Sequence, residues 1–304
     1  MSDLLVAKGI TKQYGKKIAL NNFDINIPEG SVYGLLGPNG AGKTTFLRII
    51  NQITAPDKGT VTIGNKKLDK SIIPMVGYMP EERGLYNNMK IGEQAIYFAK
   101  LKGLSTAEAH QKTRFWFEKL GINEWWNKKL TELSKGMGQK VQFAITVLHE
   151  PQLLIFDEPF SGFDPVNAQI IANEILELSK KGTTIIFSTH RMESVEEMCD
   201  HIALINQSNK VLDGEINQIK HQFKTGNYYA EIENHDTAAW LNFQSNFDVE
   251  VVPTKHHHLS FKINKPEHLN SNQLLMEITQ LGTVSQFKEA IPSMNEVFIQ
   301  AVKN

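Results

Sequence analysis

Gly37-Pro38-Asn39-Gly40-Ala41-Gly42-Lys43-Thr44-Thr45 fits the pattern G-x-x-x-x-G-K-[ST], with Gly37, Gly42, Lys43 and Thr44 at the fixed places. Glycines let a backbone wrap closely, so that successive N–H groups point inward at phosphate oxygens. Lys43 then reaches the β- and γ-phosphates, and the Thr44 hydroxyl suits Mg²⁺. Ahead of the loop, Ser31-Val-Tyr-Gly-Leu-Leu36 reads as a buried strand. Behind it, Thr45-Phe-Leu-Arg-Ile-Ile50 opens a helix whose N-terminal dipole adds to the anion site. A chance glycine-rich turn satisfies so short a pattern, but the strand–loop–helix setting argues against chance. The stretch implies a nucleotide-phosphate site in an α/β protein.

A chain of 304 residues can hold two cores or one large one, and 41% hydrophobic with 21% charged residues is ordinary for a globular protein. The net charge of −1 gives no global reason to expect nucleic acid, and only four arginines occur (Arg48, Arg83, Arg114, Arg191). The single cysteine, Cys199, excludes an internal disulfide and suits a reducing compartment; its helical stretch predicts a small buried residue. No run approaches the roughly eighteen apolar residues of a membrane span. Asp3 and the lack of a basic-then-apolar leader argue against a secretion signal. The expectation is a cytoplasmic protein whose membrane connection, if any, runs through a partner.

Along the chain, Leu4–Ala7 and Phe23–Ile27 alternate as half-buried antiparallel strands do. Between them Tyr14 sits in the turn-prone Thr11-Lys-Gln-Tyr-Gly15, where the residue alone reads as an exposed tyrosine or as a platform for adenine. Gly59–Gly64 and Met75–Met79 read as further strands, and Pro80-Glu-Glu-Arg-Gly-Leu-Tyr86 as a turn with two acids. From about Lys90 to Asn127 the pattern is helical, with Ile91, Ala95, Phe98 and Leu101 on one face. The aromatic set Phe115, Trp116, Phe117, Trp125 and Trp126 predicts a small helical core with some partner-facing surface. Leu133-Ser-Lys-Gly-Met137 leads into a helix ended by Glu150-Pro151. Leu153-Leu-Ile-Phe-Asp-Glu158 is a buried strand with two carboxylates at its C-terminal end, where ligands sit in open α/β sheets. Ser161–Asp164 forms a turn before a helix from Val166 to Leu178. The strand Thr183–Ser188 delivers Thr189-His190 to that same sheet edge, which favours a γ-phosphate contact over a surface histidine.

With these residues in place the chain resembles the ATP-binding subunits of ATP-binding-cassette (ABC) transporters. The resemblance covers roughly residues 3–220 and rests on six ordered motifs. These are Tyr14, the loop 37–45, Pro80-Glu81, Leu133–Met137, Phe156-Asp-Glu158 and Thr189-His190. It implies a P-loop cassette with a mixed-sheet core, an antiparallel β subdomain and a helical subdomain at about 88–150. It also implies a head-to-tail dimer with two ATPs sandwiched between subunits, and transmembrane permease subunits as partners, met in part by the loop from Glu81 to Tyr86. The resemblance assigns Tyr14 to adenine and Gly37, Pro38, Asn39, Gly40, Ala41, Gly42, Lys43, Thr44 and Thr45 to the phosphates. Thr44, Glu81 and Asp157 become Mg²⁺ ligands, Glu158 the general base, and His190 the holder of the γ-phosphate and the attacking water. Ser134 and the Gly136 N–H reach the γ-phosphate across the dimer, and Asp164 lies in the segment that couples the two sites.

Two departures from the family pattern stand out. In the usual L-S-G-G-Q string, Lys135 replaces the first glycine and Met137 the glutamine, while Ser134 and Gly136 remain. Glu81 stands where the family usually carries glutamine. Both strings resemble a subgroup of exporter ATPases, sodium-extrusion types among them. From about residue 221 the pattern changes to strand, helix, strand, strand, helix, strand and a final helix, which suggests a small ferredoxin-like domain. Its ending, Ile291–Phe298, resembles the accessory C-terminal domain of those exporters. Six lysines against nine acids over 222–304 give −3, so it is no nucleic-acid arm. His256-His-His258 suggests a metal at first sight, but adjacent strand residues alternate faces, which favours a solvated edge.

Two functions therefore compete: an ATPase driving a separate membrane exporter, and a soluble regulatory ATPase acting on a cytosolic machine. The second class typically carries two cassettes or a long coiled-coil insertion, and this chain has neither. A plain P-loop kinase or GTPase has no use for Ser134–Met137 or His190.

Overall fold

Alternation sets the first layer. β1 (Asp3–Tyr14) and β2 (Lys17–Pro28) form a long antiparallel pair that buries Leu5, Ala7, Ile10, Leu20, Phe23 and Ile25. The chain, a computed structural model, is described over residues 2–82, 84–253 and 258–303. The stretch Thr11–Tyr14, turn-prone in sequence, is instead the end of β1. Register shifts in the ladder hide its alternation, and the Asp57 carboxylate accepts the Gln13 N–H at 2.7 Å, which ties the strand end down.

β3 (Val32–Leu36) runs into α1 (Lys43–Ile50), then β4 (Lys58–Ile63) and β5 (Lys66–Lys67) complete a four-stranded antiparallel sheet ordered β2-β1-β4-β5. Met75 ends a 3₁₀ turn (Lys70–Met75) instead of opening the next strand, β6 (Val76–Met79). A helical group follows: α2 (Ile91–Leu101), α3 (Thr106–Lys119) and α4 (Lys135–Val147). Then come β7 (Leu153–Asp157), α5 (Pro165–Lys180), β8 (Thr184–Ser188), α6 (Met192–Met198), β9 (His201–Asn206) and β10 (Asn209–Glu215). The second sheet is ordered β10-β9-β3-β8-β7-β6, parallel except for β10 at its edge. Every residue of β3, β7 and β8 is buried, which explains their unbroken apolar runs. α1 shares one core with both sheets: Phe46 packs on Phe23 at 5.0 Å between ring centroids, with Leu35 and Ile155 in the same cluster.

The helical group divides its aromatics between core and surface. Trp116, Phe117 and Leu120 are buried, Trp125 and Trp126 half-buried, and Phe115 exposed. Leu101 was expected on the buried face with Ile91 and Ala95, but it is 60% exposed, because α2 ends there and Ala99 takes the inward place. α3 starts at a reciprocal Ser105–Glu108 capping box. Cys199 is buried just after α6, and burial pushes its thiol well above the ordinary range.

Contacts divide the chain into Met1–Ile216 with Gln300–Asn304, and Asn217–Ile299. The break falls within α7 (Ile216–Gln222), a few residues before the change of pattern read from sequence. The second unit contains β11 (Asn227–Glu233), α8 (Thr237–Asn246), β12 (Val249–Val251), β13 (Leu259–Asn264), α9 (Ser271–Thr279) and β14 (Thr283–Glu289). α10 (Met294–Lys303) follows them. Its antiparallel sheet is ordered β12-β13-β11-β14, the split β-α-β arrangement, over a core that includes Tyr228, Trp240, Phe261 and Ile278. His258 Nδ1 lies 2.9 Å from Glu231 Oε1 across the β11–β13 pair, while His256 and His257 lie outside the described residues. Among the described residues no group of three His, Cys, Asp or Glu is placed to hold a metal, and no helix is long and apolar enough to cross a membrane.

Candidate nucleotide site

The loop at the end of β3 is shaped by two close approaches. Gly37 (φ +145°) would place a Cβ 2.1 Å from the Ile205 carbonyl oxygen, and Gly42 (φ +122°) one 2.4 Å from that of Ala19. No L side chain fits either position, so only glycine lets the loop backbone pack this closely against Ile205 and Ala19. α1 begins at Lys43, whose buried ammonium donates to the Gly37 carbonyl at 2.6 Å and the Pro38 carbonyl at 3.2 Å. Burial lowers the pKa of Lys43, and the charges of Glu158, Asp157 and Glu81 oppose that shift. Three carboxylates from two strand ends thus act on the loop lysine.

Tyr14, Lys17, Asn39, Gly40, Thr44 and Thr45 line one cleft beside Lys43. The β1–β2 register carries Tyr14 there, directly opposite Lys17, and leaves its ring exposed. The Lys12 ammonium stands 5.4 Å from the ring centroid. Lys17 went unnoticed in the sequence; the one signal for it is its hairpin pairing with Tyr14.

At the end of β7, buried Asp157 accepts a hydrogen bond from the Ser188 hydroxyl through Oδ1. Ser188 is its parallel neighbour on β8 and a second residue that motif reading passed over. Glu158 adopts φ +52°, a left-handed conformation costly for a glutamate, and its N–H donates to the Ser188 carbonyl at 3.1 Å. This twist points the carboxylate to His190, whose Nδ1 is 2.9 Å from Glu158 Oε1. The structure therefore brings Asp157, Glu158 and His190 together on the edge where Lys43 lies.

Ser134, Gly136 and Asp164 line a different cleft, with Lys135, Lys140 and Trp125. Ser134 caps α4, its Oγ accepting the Met137 N–H at 3.2 Å. Asp164 caps α5, accepting the Asn167 N–H at 3.0 Å, and these bonds hold its carboxyl below the usual range. The Lys135 stem lies over Gly162, with Cδ and Cε each 2.8 Å from where a Cβ would stand, so the residue that replaces the usual glycine covers the turn before Asp164. Glu81 is exposed just after β6, and the preceding Pro80 carbonyl accepts Gln142 Nε2 of α4 at 3.0 Å. Arg83, a candidate ion-pair partner for Glu81, lies outside the described residues.

The ABC transporter family profile matches residues 20–161, and that of the C-terminal domain of DrrA1-3-like ATP-binding proteins matches 214–302. A profile described as an AAA domain, putative AbiEii toxin, overlaps the first over 127–196. The chain is 36% identical over 299 residues to the uncharacterized ABC transporter ATP-binding protein YhaQ of Bacillus subtilis, covering 98% of each. It is 32% identical over 240 residues to the bacitracin transport ATP-binding protein BcrA of Enterococcus faecalis, covering 78% of this chain and 76% of that one. A solved ATP-binding subunit of an ABC transporter superposes with a TM-score of 0.68 at 29% identity, over 72% of this chain and 93% of that one.

Proposed function

This chain belongs to the ABC transporter ATP-binding proteins, and from that premise we propose that it binds ATP between two head-to-tail copies and powers export through a separate transmembrane permease. The chain binds and hydrolyses ATP as an ABC ATPase. The observation that carries the dimer reading is the division of its site residues between two clefts. One holds the phosphate loop and Tyr14; the other holds Ser134, Gly136 and Asp164. A second copy turned head to tail supplies to each ATP the cleft that its own chain keeps elsewhere.

Each residue then has a task. Tyr14 stacks on adenine, and the amides of 37–45 with Lys43 cradle the phosphates. Thr44 and Asp157 are hard oxygen donors that fit Mg²⁺, which takes few protein ligands beside phosphates and water; Ser188 fixes the Asp157 carboxylate for that role. Glu81 is a third donor when its loop closes. Bound Mg²⁺ supplies charge neutralisation at the β- and γ-phosphates. Glu158 accepts the proton of the attacking water and His190 holds that water and the γ-phosphate. Ser134 and the Gly136 N–H contact the γ-phosphate of the opposite copy.

The export direction is supported by the strings at Pro80–Tyr86 and Leu133–Met137, by the DrrA-like match and by similarity to a bacitracin transport protein. On this reading residues 221–304 form an accessory domain and the protein sits on the cytoplasmic face through its permease. Tagged Glu158→Gln chain, purified with ATP, should carry a multi-span membrane protein with it. Recovery of ribosomes or DNA instead would favour the soluble regulatory class.

A further inference from the structure

Three lysines stand at or beside the cleft that runs from Tyr14 to the phosphate loop, and their ammonium groups are engaged differently. Lys43 donates to the Gly37 and Pro38 carbonyls, and Lys12 is paired with the Asp57 carboxylate at 2.9 Å. Lys17 lines the cleft and is exposed, and among the described residues no acid or hydrogen-bond acceptor holds its ammonium. Its place is set at both ends. The hairpin register puts Lys17 directly opposite Tyr14, so the two side chains leave the same face of the β1–β2 pair. At the other end Nζ lies 3.8 Å from where a Cβ on Gly40 would stand, against the backbone of the loop. The side chain therefore reaches from beside the exposed tyrosine ring to the phosphate loop.

We propose that Lys17 is a further nucleotide ligand, whose ammonium binds the phosphates that ADP and ATP share. This rests on the placement of ATP proposed above, with the base on Tyr14 and the phosphates in the loop 37–45. A nucleotide lying so passes Lys17 between its ring and the phosphates that Lys43 holds. Lys12 and Lys43 are already engaged by groups of the protein, and a phosphate must share them. Lys17 gives up no ion pair when phosphate arrives, so its charge-assisted hydrogen bond is a new one. The consequence falls on the product as well as the substrate. The shared phosphates remain when the γ-phosphate leaves, so Lys17 holds ADP as it holds ATP and slows ADP release.

Calorimetric titration of the full chain with ATP and with ADP, without Mg²⁺ so that ATP is not consumed, compares wild type with Lys17→Met and Lys17→Arg. Lys17 is exposed at a hairpin end, so neither change disturbs the core. Lys17→Met should weaken both nucleotides about fivefold at low salt, and that deficit should shrink as salt rises. Lys17→Arg, which keeps the charge, should stay within about twofold of wild type for both. Lys17→Met binding as wild type does, or losing affinity for ATP alone, overturns the proposal. So does a loss that Lys17→Arg shares and salt does not change, which marks an altered hairpin instead of a lost charge. Wild type binding neither nucleotide would overturn the placement of ATP itself, and the role of Lys17 with it.

Discussion

Glu158 Oε1 and His190 Nδ1 lie 2.9 Å apart, joining the end of β7 to the residue two beyond the end of β8. The glutamate side chain is 14% exposed and the imidazole 69%, so the histidine is the solvent-facing member of the pair and the glutamate the enclosed one. His190→Ala should lower kcat by about 10²-fold while the Kd for ATP stays within roughly threefold, because the loop contacts remain. Single-turnover hydrolysis with a separate binding titration checks this. A Kd raised as much as kcat falls would make His190 a binding residue instead.

Lys43 is a buried cation, and burial disfavours its charged form before nucleotide arrives. Lys43→Met should lose ATP affinity by at least about tenfold, yet leave the Tm of the nucleotide-free protein at or above wild type. Replacing a buried charge by an apolar chain of similar length removes the desolvation cost. Calorimetry with and without ATP separates the two effects. Unchanged affinity would remove the loop lysine from the phosphate site.

What could be read in advance followed spacing within one segment. The loop 37–45, the Asp157-Glu158 pair and the capped start of α4 at Ser134 each lie in one short stretch with its own strand or helix signal. Residues that act through cross-strand register were invisible: Ser188 meets Asp157 because β7 and β8 run in parallel register, and Lys17 faces Tyr14 through a hairpin ladder. Gln142 reaches Pro80 across 62 positions of sequence. Periodicity also could not show that α2 stops at Leu101, since the helix end at Lys102–Gly103 decides which side the last leucine faces.

His149 predicts a pH effect on stability. Its folded pKa is pushed down to about 4 from an ordinary 6.5, so between those values the unfolded chain binds a proton that the folded chain refuses. Stability is therefore full above about pH 6.5 and falls as pH drops through that window, by about 2 kcal/mol between pH 7 and pH 5 from this group. Urea unfolding of wild type and His149→Phe at both pH values reads it directly. The variant should lose that share of the pH dependence; an identical slope in both proteins would rule His149 out as its source.

Glu81 acts on Lys43 from an exposed loop whose first carbonyl is held by α4. Glu81→Gln restores the residue usual in the family and should keep hydrolysis within about tenfold of wild type, with a shifted Mg²⁺ dependence. Glu81→Ala should weaken partner-stimulated turnover more than basal turnover. Superimposable Mg²⁺ titrations for all three proteins, with and without the partner, would reduce Glu81 to a surface acid.

In the proposed cycle ATP joins two copies of this chain and Glu158 then promotes its hydrolysis. Light scattering of Glu158→Gln across an ATP titration with Mg²⁺, alongside phosphate release, tests both halves at once. The expected result is a monomer without nucleotide, a dimer with ATP, and turnover reduced by roughly 10²–10⁴-fold. A monomer at saturating ATP, or phosphate release within about threefold of wild type, would contradict it.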